Sequence, residues 1–311
     1  MLIVDAHCDT LSEVLEKKID IFQNEGHLDI KRLYENKKSV QFFAVFVKPG
    51  NEAYTLANAL KQIDILYQAE KEYSRYLEVA YNTEDIERIL SEGKAAAILS
   101  IEGGEALSRD LGVLRMLHRL GVRAMGLTWN YRNPLADGVF DDTGGGLTPF
   151  GKSVVSEMNR LGMVIDVSHL NKKGFWDVIE QSEHPIIASH SNAQALCGHR
   201  RNLDDRQLYA LKENGGVVGI NFCPAFLCDS EQADINDVIK HIEYIAGLIG
   251  IEHIGFGSDF DGIARTPKGL EGVQCLPRLA EKLYSLNYTE QQVEMIAGKN
   301  FMRVLQKVLN V

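Results

Sequence analysis

The sequence has no apolar run that approaches the ~20 residues needed by a membrane-spanning helix. It also has no excess of positive charge: 33 Lys and Arg residues stand against 43 Asp and Glu residues, and the formal net charge is −10. A general nucleic-acid-binding protein normally carries a basic patch, so this balance argues against one. Met1 leads directly into strand-like sequence, without the basic and apolar regions of a signal peptide. We therefore expect a protein that binds neither nucleic acid nor a membrane.

Paired cysteines and linker sequence are also lacking. The five cysteines stand at irregular spacing with no C-x-x-C pair, which makes a reduced, cytoplasmic location the simplest interpretation. No Pro- or Ser-rich linker divides the chain, and 45% of its 311 residues are hydrophobic, enough for a sizeable core. We therefore expect one domain over residues 1–311. The sequence leaves open whether the chain forms a homodimer.

Short β-branched segments recur along the chain and alternate with segments of helical periodicity. The eight segments are residues 2–9, 40–47, 95–104, 123–130, 163–169, 185–191, 216–222 and 253–262. This alternation predicts parallel βαβ units, and eight of them close an α/β barrel of the (β/α)8, TIM type. An open doubly wound sheet is the alternative, but no glycine-rich dinucleotide fingerprint follows the first strand. Residues 289–311 predict two extra C-terminal helices around a turn at residues 298–300, with Thr289 as N-cap.

The first predicted strand, within "LIVDAHCDT", ends in an unusual set of polar residues. Because side chains alternate along a strand, Asp5, His7 and Asp9 are expected on one face. Ala6 and Cys8 are then expected on the other face, so Cys8 is predicted to pack rather than to bind metal. A buried carboxylate needs a partner. A metal ion is a good partner for a His-x-Asp pair.

Polar residues end five of the predicted strands. After the first strand come His7 and Asp9, and the others are Glu102 after the third strand, His169 after the fifth, His190 after the sixth, and Asp259 and Asp261 after the eighth. In barrel enzymes the catalytic groups come from this end of the strands, so these residues are expected to converge in one mouth. Each alone has a structural interpretation, such as a hydrogen-bonded histidine or a loop cap. Their repeated placement favours a shared site.

Three histidines with two or three carboxylates suit zinc or a similar first-row ion. One catalytic zinc uses three protein ligands, so five ligands suit two ions if one carboxylate bridges them. Two such ions can polarise a carbonyl group and hold a hydroxide at neutral pH. Four other histidines are expected at the surface: His27, His118, His241 and His253.

Five motifs resemble the membrane (renal) dipeptidase family, the zinc dipeptidases of peptidase family M19. They are "DAHCDT", "SIEGGEAL", "DVSH", "SHSNAQALCGHRRNLDD" and "GFGSDFDG", and they follow one another over nearly the whole chain. Any one of them alone is a weak signal, but the set is specific. The resemblance implies a (β/α)8 barrel with a binuclear zinc site that hydrolyses dipeptides, often with a D-residue on the C-terminal side.

The resemblance also implies the metal ligands. His7 and Asp9 would bind one zinc ion, His169 and His190 would bind the other, and Glu102 would bridge the two ions as part of the catalytic centre. The cofactor would then be two zinc ions per chain. A hydroxide between these ions would be the nucleophile.

Two further residues receive roles from the resemblance. Arg201, in "HRRN", would hold the carboxylate of a dipeptide substrate, since a guanidinium fork suits a carboxylate better than an ammonium group does. Asp259 would carry a proton for catalysis or anchor the substrate amino group. The alternative for Arg201 is a surface cation beside Arg200 and Asp204.

One position departs from the family pattern. Animal members carry a histidine after the fourth strand, thought to stabilise the oxyanion, and this sequence has Trp129 there. Tryptophan offers an N–H donor but no group that titrates near neutrality. Asn130 or Arg132 could substitute, and we count Asn130 among the candidate substrate-binding residues. Because no signal peptide or anchor tail is evident, the membrane part of the family name is not transferred.

Other functions remain as alternatives. A related zinc amidohydrolase that deacylates N-acyl-D-amino acids would also place a carboxylate on Arg201, and differs in needing no free amino group on its substrate. A non-catalytic barrel that only binds metal is less favoured, because the ligand set is complete and Asp259 is added to it. A phosphorylated substrate is less favoured, since the acidic "SDFDG" would repel phosphate at the expected site.

Overall fold

The computed structural model describes residues 1–50, 52–230 and 232–310, with the side chains of residues 52 and 53 left out. In this part of the chain the strands are β1 (Ile3–Cys8), β2 (Ser39–Phe46), β3 (Leu77–Val79), β4 (Ala95–Glu102), β5 (Val122–Gly126), β6 (Val164–Asp166), β7 (Ile187–Ala188), β8 (Val217–Ile220) and β9 (Ile254–Phe256). The helices are α1 (Thr10–Lys17), α2 (Ile30–Glu35), α3 (Glu52–Glu72), α4 (Thr83–Ser91), α5 (Leu111–Arg119), α6 (Pro149–Leu161), α7 (Lys172–Gln181), α8 (Asp205–Asn214), α9 (Pro224–Leu227), α10 (Ile235–Ile249), α11 (Leu276–Ser285), α12 (Glu290–Glu294) and α13 (Asn300–Leu309). None of these helices is long and apolar enough to cross a membrane.

The strands form a closed parallel barrel. Its eight members are β1, β2 and β4 to β9, and the barrel closes where β2 pairs with β4, from Val40 opposite Ala96 to Phe46 opposite Glu102. This closure confirms the predicted (β/α)8 barrel and excludes the open sheet. The short strand β3 was not predicted. It pairs with the first residues of β4, ahead of the point where β5 begins to pair with that strand.

Two apolar layers fill the barrel and its surroundings. Alternate strand residues such as Phe42, Ile98 and Val164 point inward, where Phe301 and Val304 of α13 join the same buried cluster. The other strand residues pack outward against the surrounding helices. Because α13 contributes to the cluster at the end where the strands begin, the barrel is closed there. The carboxyl ends of the strands are left to form the site.

The strand β1 breaks the predicted alternation of side chains. Its pairing register with β2 shifts between Asp5 and Cys8. As a result Ala6 lies in the interior cluster with Val4, whereas Cys8 lies in the outer cluster. The expectation that Ala6 and Cys8 share a face was therefore wrong, because a β-bulge adds a residue and reverses the sides. Cys8 is fully buried, as the packing interpretation predicted.

The C-terminal segment is one helical run rather than two helices around a turn. A π-helical turn, Met295–Lys299, joins α12 to α13, so the predicted turn at residues 298–300 was wrong. A Cβ at Gly298 would come within 3.0 Å of Leu2 and 3.1 Å of Val4, so the small residue allows close packing on β1. Thr289 is the N-cap, as predicted, and forms a capping box with Gln292.

The histidines assigned to the surface are not free surface residues. His241 is completely buried, and its Nδ1 accepts a hydrogen bond from the Ala193 amide at 3.1 Å. The prediction for His241 was therefore wrong, because helical periodicity alone did not reveal that this position of α10 packs against the loop after β7. The other three are partly buried: His27, His118 and His253.

Candidate metal centre

The five predicted ligands converge at the carboxyl ends of the strands, and all five are buried. Glu102, the last residue of β4, lies between two histidine groups. Its Oε2 is 3.7 Å from His7 Nε2, and its Oε1 is 2.7 Å from His169 Nε2 and 3.6 Å from His190 Nε2. Asp9 joins the first group, with Oδ2 3.2 Å from His7 Nε2. One carboxylate therefore faces both halves of the cluster.

The protonation equilibria of this cluster are strongly perturbed. Burial opposes the charged form of His7, but the carboxylates of Glu102 and Asp9 outweigh it and raise the pKa of His7 to about 10. Burial raises the pKa of Asp9 to about 7, and does the same for Glu102. Burial holds the pKa values of His169 and His190 well below the usual range. Buried carboxylates beside two imidazoles that favour the neutral state are a typical setting for a bound cation.

The donor atoms fit divalent metal ions. Glu102, His169 and His190 form one group whose donor atoms all lie within 4.8 Å of one another, and His7, Asp9 and Asp259 form another. Imidazole nitrogens and carboxylate oxygens are the donors that zinc and related ions prefer. In addition, Asp9 Oδ1 is buried without a hydrogen-bond partner. A buried carboxylate oxygen with no partner is costly, and a cation beside it would remove that cost.

Hydrogen bonds hold two of the imidazole rings in the orientation that ligation requires. His169 Nδ1 lies 2.9 Å from the side-chain oxygen of Asn130, so this nitrogen carries the proton. His190 Nδ1 lies 2.7 Å from the Ser189 hydroxyl, which in turn donates to Asp166. Each Nε2 then carries the lone pair, and both Nε2 atoms lie within 3.6 Å of Glu102 Oε1. Such outer partners fix the tautomer and the orientation of metal-binding histidines.

Asp166 belongs to this outer layer rather than to the ligand set. One of its oxygens lies near His7 and His190, but the carboxylate accepts hydrogen bonds from the hydroxyls of Ser168 and Ser189. It also accepts from the Ser189 amide at 2.9 Å. Because Asp166 already accepts these hydrogen bonds, its role is to hold together the segments after β6 and β7, which carry His169 and His190.

Arg201 lies inside the barrel mouth. Only 3% of the residue is exposed, and its guanidinium donates to the carbonyl oxygens of Ser168 and His190. Its second terminal nitrogen lies 2.9 Å from His169 Nε2. The neighbouring Arg200 behaves differently, since it is exposed and pairs with Asp142 at 3.1 Å. The interpretation of Arg201 as a surface cation is therefore wrong.

Asp259 is held beside the cluster by its backbone and by one amide. Its φ of 62° lies in the left-handed region, which turns the chain sharply after β9. Asn221 donates a hydrogen bond of 2.9 Å to Oδ2, and Oδ1 lies 4.0 Å from His7 Nε2. A Cβ at Gly262 would collide with the carboxylates of Asp9 and Asp259, so the glycine permits this close approach.

Asp261 is occupied in supporting the surrounding loops. Its Oδ2 accepts a hydrogen bond of 2.6 Å from the Thr10 hydroxyl, and its Oδ1 accepts one of 2.7 Å from the His27 amide. The Asp261 amide donates back to His27 Nδ1 at 3.0 Å. These bonds tie the segment before α2 to the loop after β9. Asp261 is thus at the mouth, as predicted, but its oxygens face other partners than the histidine cluster.

A cavity of about 480 Å³ opens above the cluster. Trp129 and Asn130 line it, and the indole centroid of Trp129 is 6.5 Å from the His169 ring. The alternative donor Arg132 is not part of this wall: its side chain is 60% exposed and its Nε lies 3.4 Å from Asp137. Arg132 therefore does not replace the family's oxyanion histidine, while Trp129 and Asn130 stay within reach of a substrate.

Several residues of the site were missed from sequence. Asn221 follows β8 directly, in the same position relative to its strand as the predicted ligands, so the strand-end rule alone would have found it. Ser189 and Asp166 look like ordinary residues of buried strands. Their role depends on which neighbours they meet across the barrel, and this information is absent from any single segment.

Comparison with known proteins identifies the family of this chain. The family model of membrane dipeptidase, peptidase family M19, matches residues 1–311. The dipeptidase tcpJ of Claviceps purpurea is 36% identical over 298 residues, covering 92% of this chain and 70% of that protein. An uncharacterized dipeptidase of Schizosaccharomyces pombe is 37% identical over 332 residues, covering 98% and 80%.

Solved structures agree. A metallopeptidase from Rhodobacter sphaeroides, bound to a phosphinate mimic of the dipeptide L-Ala-D-Ala, aligns with a TM-score of 0.93 at 30% identity, over 99% of each chain. A dipeptidase of family M19 aligns with a TM-score of 0.94 at 31% identity, over 100% of this chain and 99% of that chain. The whole-length family match, these relatives and the cluster of potential metal ligands lead to one conclusion: the chain belongs to the membrane dipeptidase family, peptidase family M19, and is a metallo-dipeptidase.

Proposed function

We propose that the chain is a binuclear zinc dipeptidase that hydrolyses the single peptide bond of its substrate. The observation that carries this proposal is the position of Glu102, whose Oε2 lies 3.7 Å from His7 Nε2 and whose Oε1 lies 2.7 Å from His169 Nε2. A carboxylate in this position can be shared by two ions about 3.5–4 Å apart. His7 and Asp9 would hold one ion, and His169 and His190 would hold the other. When bound, the ions would polarise the scissile carbonyl and lower the pKa of the attacking water.

Arg201 would recognise the free C-terminal carboxylate of the dipeptide. Arg201 lines the cavity above the cluster. Because it is buried, its interaction with an anion is stronger than it would be in water. A guanidinium can form two parallel hydrogen bonds with a carboxylate, which fixes orientation as well as position. This contact would place the peptide bond over the cluster. It would also favour dipeptides, because a third residue would displace the carboxylate from Arg201.

Asp259 would move a proton at Oδ1. This oxygen faces the cluster, whereas Oδ2 is engaged by Asn221. Peptide hydrolysis needs a proton to leave the attacking water and a proton to reach the departing nitrogen. A carboxylate in this position can do both in turn. Alternatively, the same oxygen could hold the substrate ammonium group, and the two roles predict different kinetic effects.

We further propose that a D-residue is tolerated on the C-terminal side. The support is that the related Rhodobacter sphaeroides enzyme, which shares the fold over its full length, accommodates a mimic of L-Ala-D-Ala. We also propose a cytoplasmic location. All five cysteines are free thiols, which suits a reducing compartment.

An activity panel tests the proposed function. The zinc-loaded protein would be assayed with L-Ala-L-Ala, L-Ala-D-Ala and N-acetyl-D-Ala at equal concentrations. We expect both dipeptides to be hydrolysed, and the acylated amino acid to be hydrolysed at least 100-fold more slowly. Preferred hydrolysis of the acylated substrate would instead identify a deacylase.

A further inference from the structure

Three aromatic rings lie in contact with one another along the wall of the cavity, beginning beside Arg201. The guanidinium carbon lies 5.7 Å from the ring centroid of Phe226. His199 stacks on Phe226, with centroids 4.3 Å apart and planes inclined by 27°. Phe140 meets His199 edge-on, with centroids 6.3 Å apart at 90°. All three residues line the cavity and are only partly buried, so part of their apolar surface faces the substrate space.

This aromatic corner, defined as Phe140, His199 and Phe226, is anchored by hydrogen bonds. The Arg201 amide donates to His199 Nδ1 at 3.2 Å, which links the imidazole to the arginine itself. The Phe226 carbonyl oxygen accepts from the side-chain amide of Asn202 at 2.8 Å. The Phe140 amide donates to the Asn130 carbonyl at 3.0 Å. The loop after β7 is thus bound to the segment after β8, whereas Phe140 is held within the loop after β5 and meets the other two residues through its ring contact with His199.

The opposite rim of the cavity differs in chemistry. It includes Glu13 and Glu16 of α1 and Lys48 after β2, and Glu16 and Lys48 are exposed. An apolar side chain would gain little from these charged and hydrated groups. The cavity is therefore apolar beside Arg201 and charged at the rim, so the two residues of a dipeptide would meet different surroundings.

We propose that the aromatic corner is the side-chain pocket for the C-terminal residue, and that the enzyme prefers an apolar or aromatic residue there. This inference rests on the proposed function, because the contact between Arg201 and the substrate carboxylate determines which residue lies beside the rings. The side chain branches from the carbon next to that carboxylate, so it must emerge within a few ångströms of Phe226. A bulky apolar side chain removes ring surface from water, whereas an acidic one would lose hydration against the negative faces of the rings.

Steady-state kinetics with a series of L-Ala-X dipeptides test this pocket, where X is Gly, Ala, Leu, Phe or Asp. With two zinc ions per chain, we expect kcat/KM for Phe and Leu to exceed that for Gly by roughly tenfold to a hundredfold, and Asp to fall below Gly. Phe226→Ala and Phe140→Ala should each lower the ratio of kcat/KM for L-Ala-L-Phe to that for L-Ala-Gly by about tenfold. The control is Trp176→Ala, an exposed aromatic residue on α7, which should leave the ratio unchanged.

Binding gives a second measurement that does not require turnover. Phosphinate mimics of Ala-Phe and Ala-Gly would be titrated by calorimetry, and the preference for the Phe mimic should weaken in Phe140→Ala, even if Phe226→Ala fails to fold. Dipeptide hydrolysis with equal kcat/KM across the series would overturn the pocket and leave the proposed function intact. The pocket would also be overturned, with the proposed function intact, if the ratio of kcat/KM for Ala-Phe to that for Ala-Gly is unchanged in both Phe226→Ala and Phe140→Ala. If the zinc-loaded protein hydrolyses no dipeptide at all, the proposed function fails and the pocket fails with it.

Discussion

Asn221 donates a hydrogen bond of 2.9 Å to Oδ2 of Asp259, and thereby leaves Oδ1 directed at the histidine cluster. Asn221 is itself fixed, since its amide donates to the side-chain oxygen of Asn192 at 3.0 Å and its carbonyl accepts from the same side chain. These two hydrogen bonds between Asn192 and Asn221 join the segments that follow β7 and β8. A rigid chain of contacts therefore sets the orientation of Asp259.

Removing this support should impair catalysis without removing metal. A hydrogen bond to a charged group is worth about 1.5–3 kcal/mol, so Asn221→Ala should lower kcat/KM by roughly tenfold to a hundredfold. Zinc content should stay at the wild-type value, because Asn221 is not a ligand. The matched control is Asn310→Ala, just after α13, which should keep the wild-type kcat/KM because its hydrogen bonds to Thr83 and Glu84 lie outside the cavity. Loss of zinc in Asn221→Ala would show that the residue supports the ligand cluster instead.

Asp259→Asn separates the two roles proposed for the carboxylate. As a proton carrier, its loss should lower kcat by about 10²–10⁴-fold, with both zinc ions retained. As an anchor for the amine only, its loss should chiefly raise KM, and substrates without an amino group should be spared. Kinetics and zinc content measured on the same preparation distinguish these outcomes. If a zinc ion is lost, Asp259 is a ligand, as its position near His7 and Asp9 also permits.

Arg201→Ala should weaken recognition of the substrate carboxylate. We expect kcat/KM to fall by about tenfold to a hundredfold for dipeptides with a free carboxylate, mostly through KM. Dipeptide amides should be affected little, since they offer no anion. Arg200→Ala is the matched control, because Arg200 is exposed and pairs with Asp142. An equal loss on both substrate types would mean that Arg201 maintains the structure of the mouth rather than binding substrate.

The eight barrel strands and the site's location could be predicted because each signal is local. Strand segments are β-branched, and a polar residue at the end of a buried strand is unusual in any protein. Parallel strands then bring such residues together without further information. The same rule explains why Glu102 and His169, which are 67 positions apart, lie 2.7 Å from each other.

What could not be predicted depends on contacts between distant segments. The register shift in β1 is set by its pairing with β2, and it places Cys8 in the outer layer although Val4 and Ala6 lie in the interior. The burial of His241 depends on how α10 packs against the loop after β7. The π-helical turn before α13 contains Gly298, which packs closely on Leu2 and on Val4 of β1. That the whole chain is one domain, and that Glu102, Arg201 and Asp259 act as proposed, stay predictions.

Outside the site, we expect Glu157 to make the stability of the fold depend on pH. The hydrogen bond from Arg160, supported by Arg115, outweighs burial and lowers the pKa of Glu157 from 4.5 to about 2. A carboxyl with a depressed pKa in the folded state contributes stability that is complete above the unfolded pKa and is lost as the pH falls through the folded pKa. Glu157→Gln should therefore lower the free energy of unfolding at pH 7.

The difference in the free energy of unfolding between wild type and Glu157→Gln should shrink between pH 4.5 and pH 2 and vanish below that window. Urea unfolding at several pH values measures it. Glu180→Gln, at an exposed position on α7, is the control and should show no such trend. A constant difference down to the lowest pH would mean that the ion pairs of Glu157 do not cause the effect.

The binuclear centre is tested most directly by the zinc content of the purified, zinc-reconstituted protein and of Glu102→Gln, measured by mass spectrometry together with dipeptide hydrolysis. We predict close to two zinc ions per chain in the wild type, and loss of metal and activity together in Glu102→Gln, because a neutral amide bridges two cations poorly. The control is Glu105→Gln, which should retain two ions. Glu105 belongs to none of the ligand groups, and its Oε2 accepts a hydrogen bond from Asn133. A wild type that holds only one zinc ion, or a Glu102→Gln protein that keeps two and turns over normally, would contradict the account.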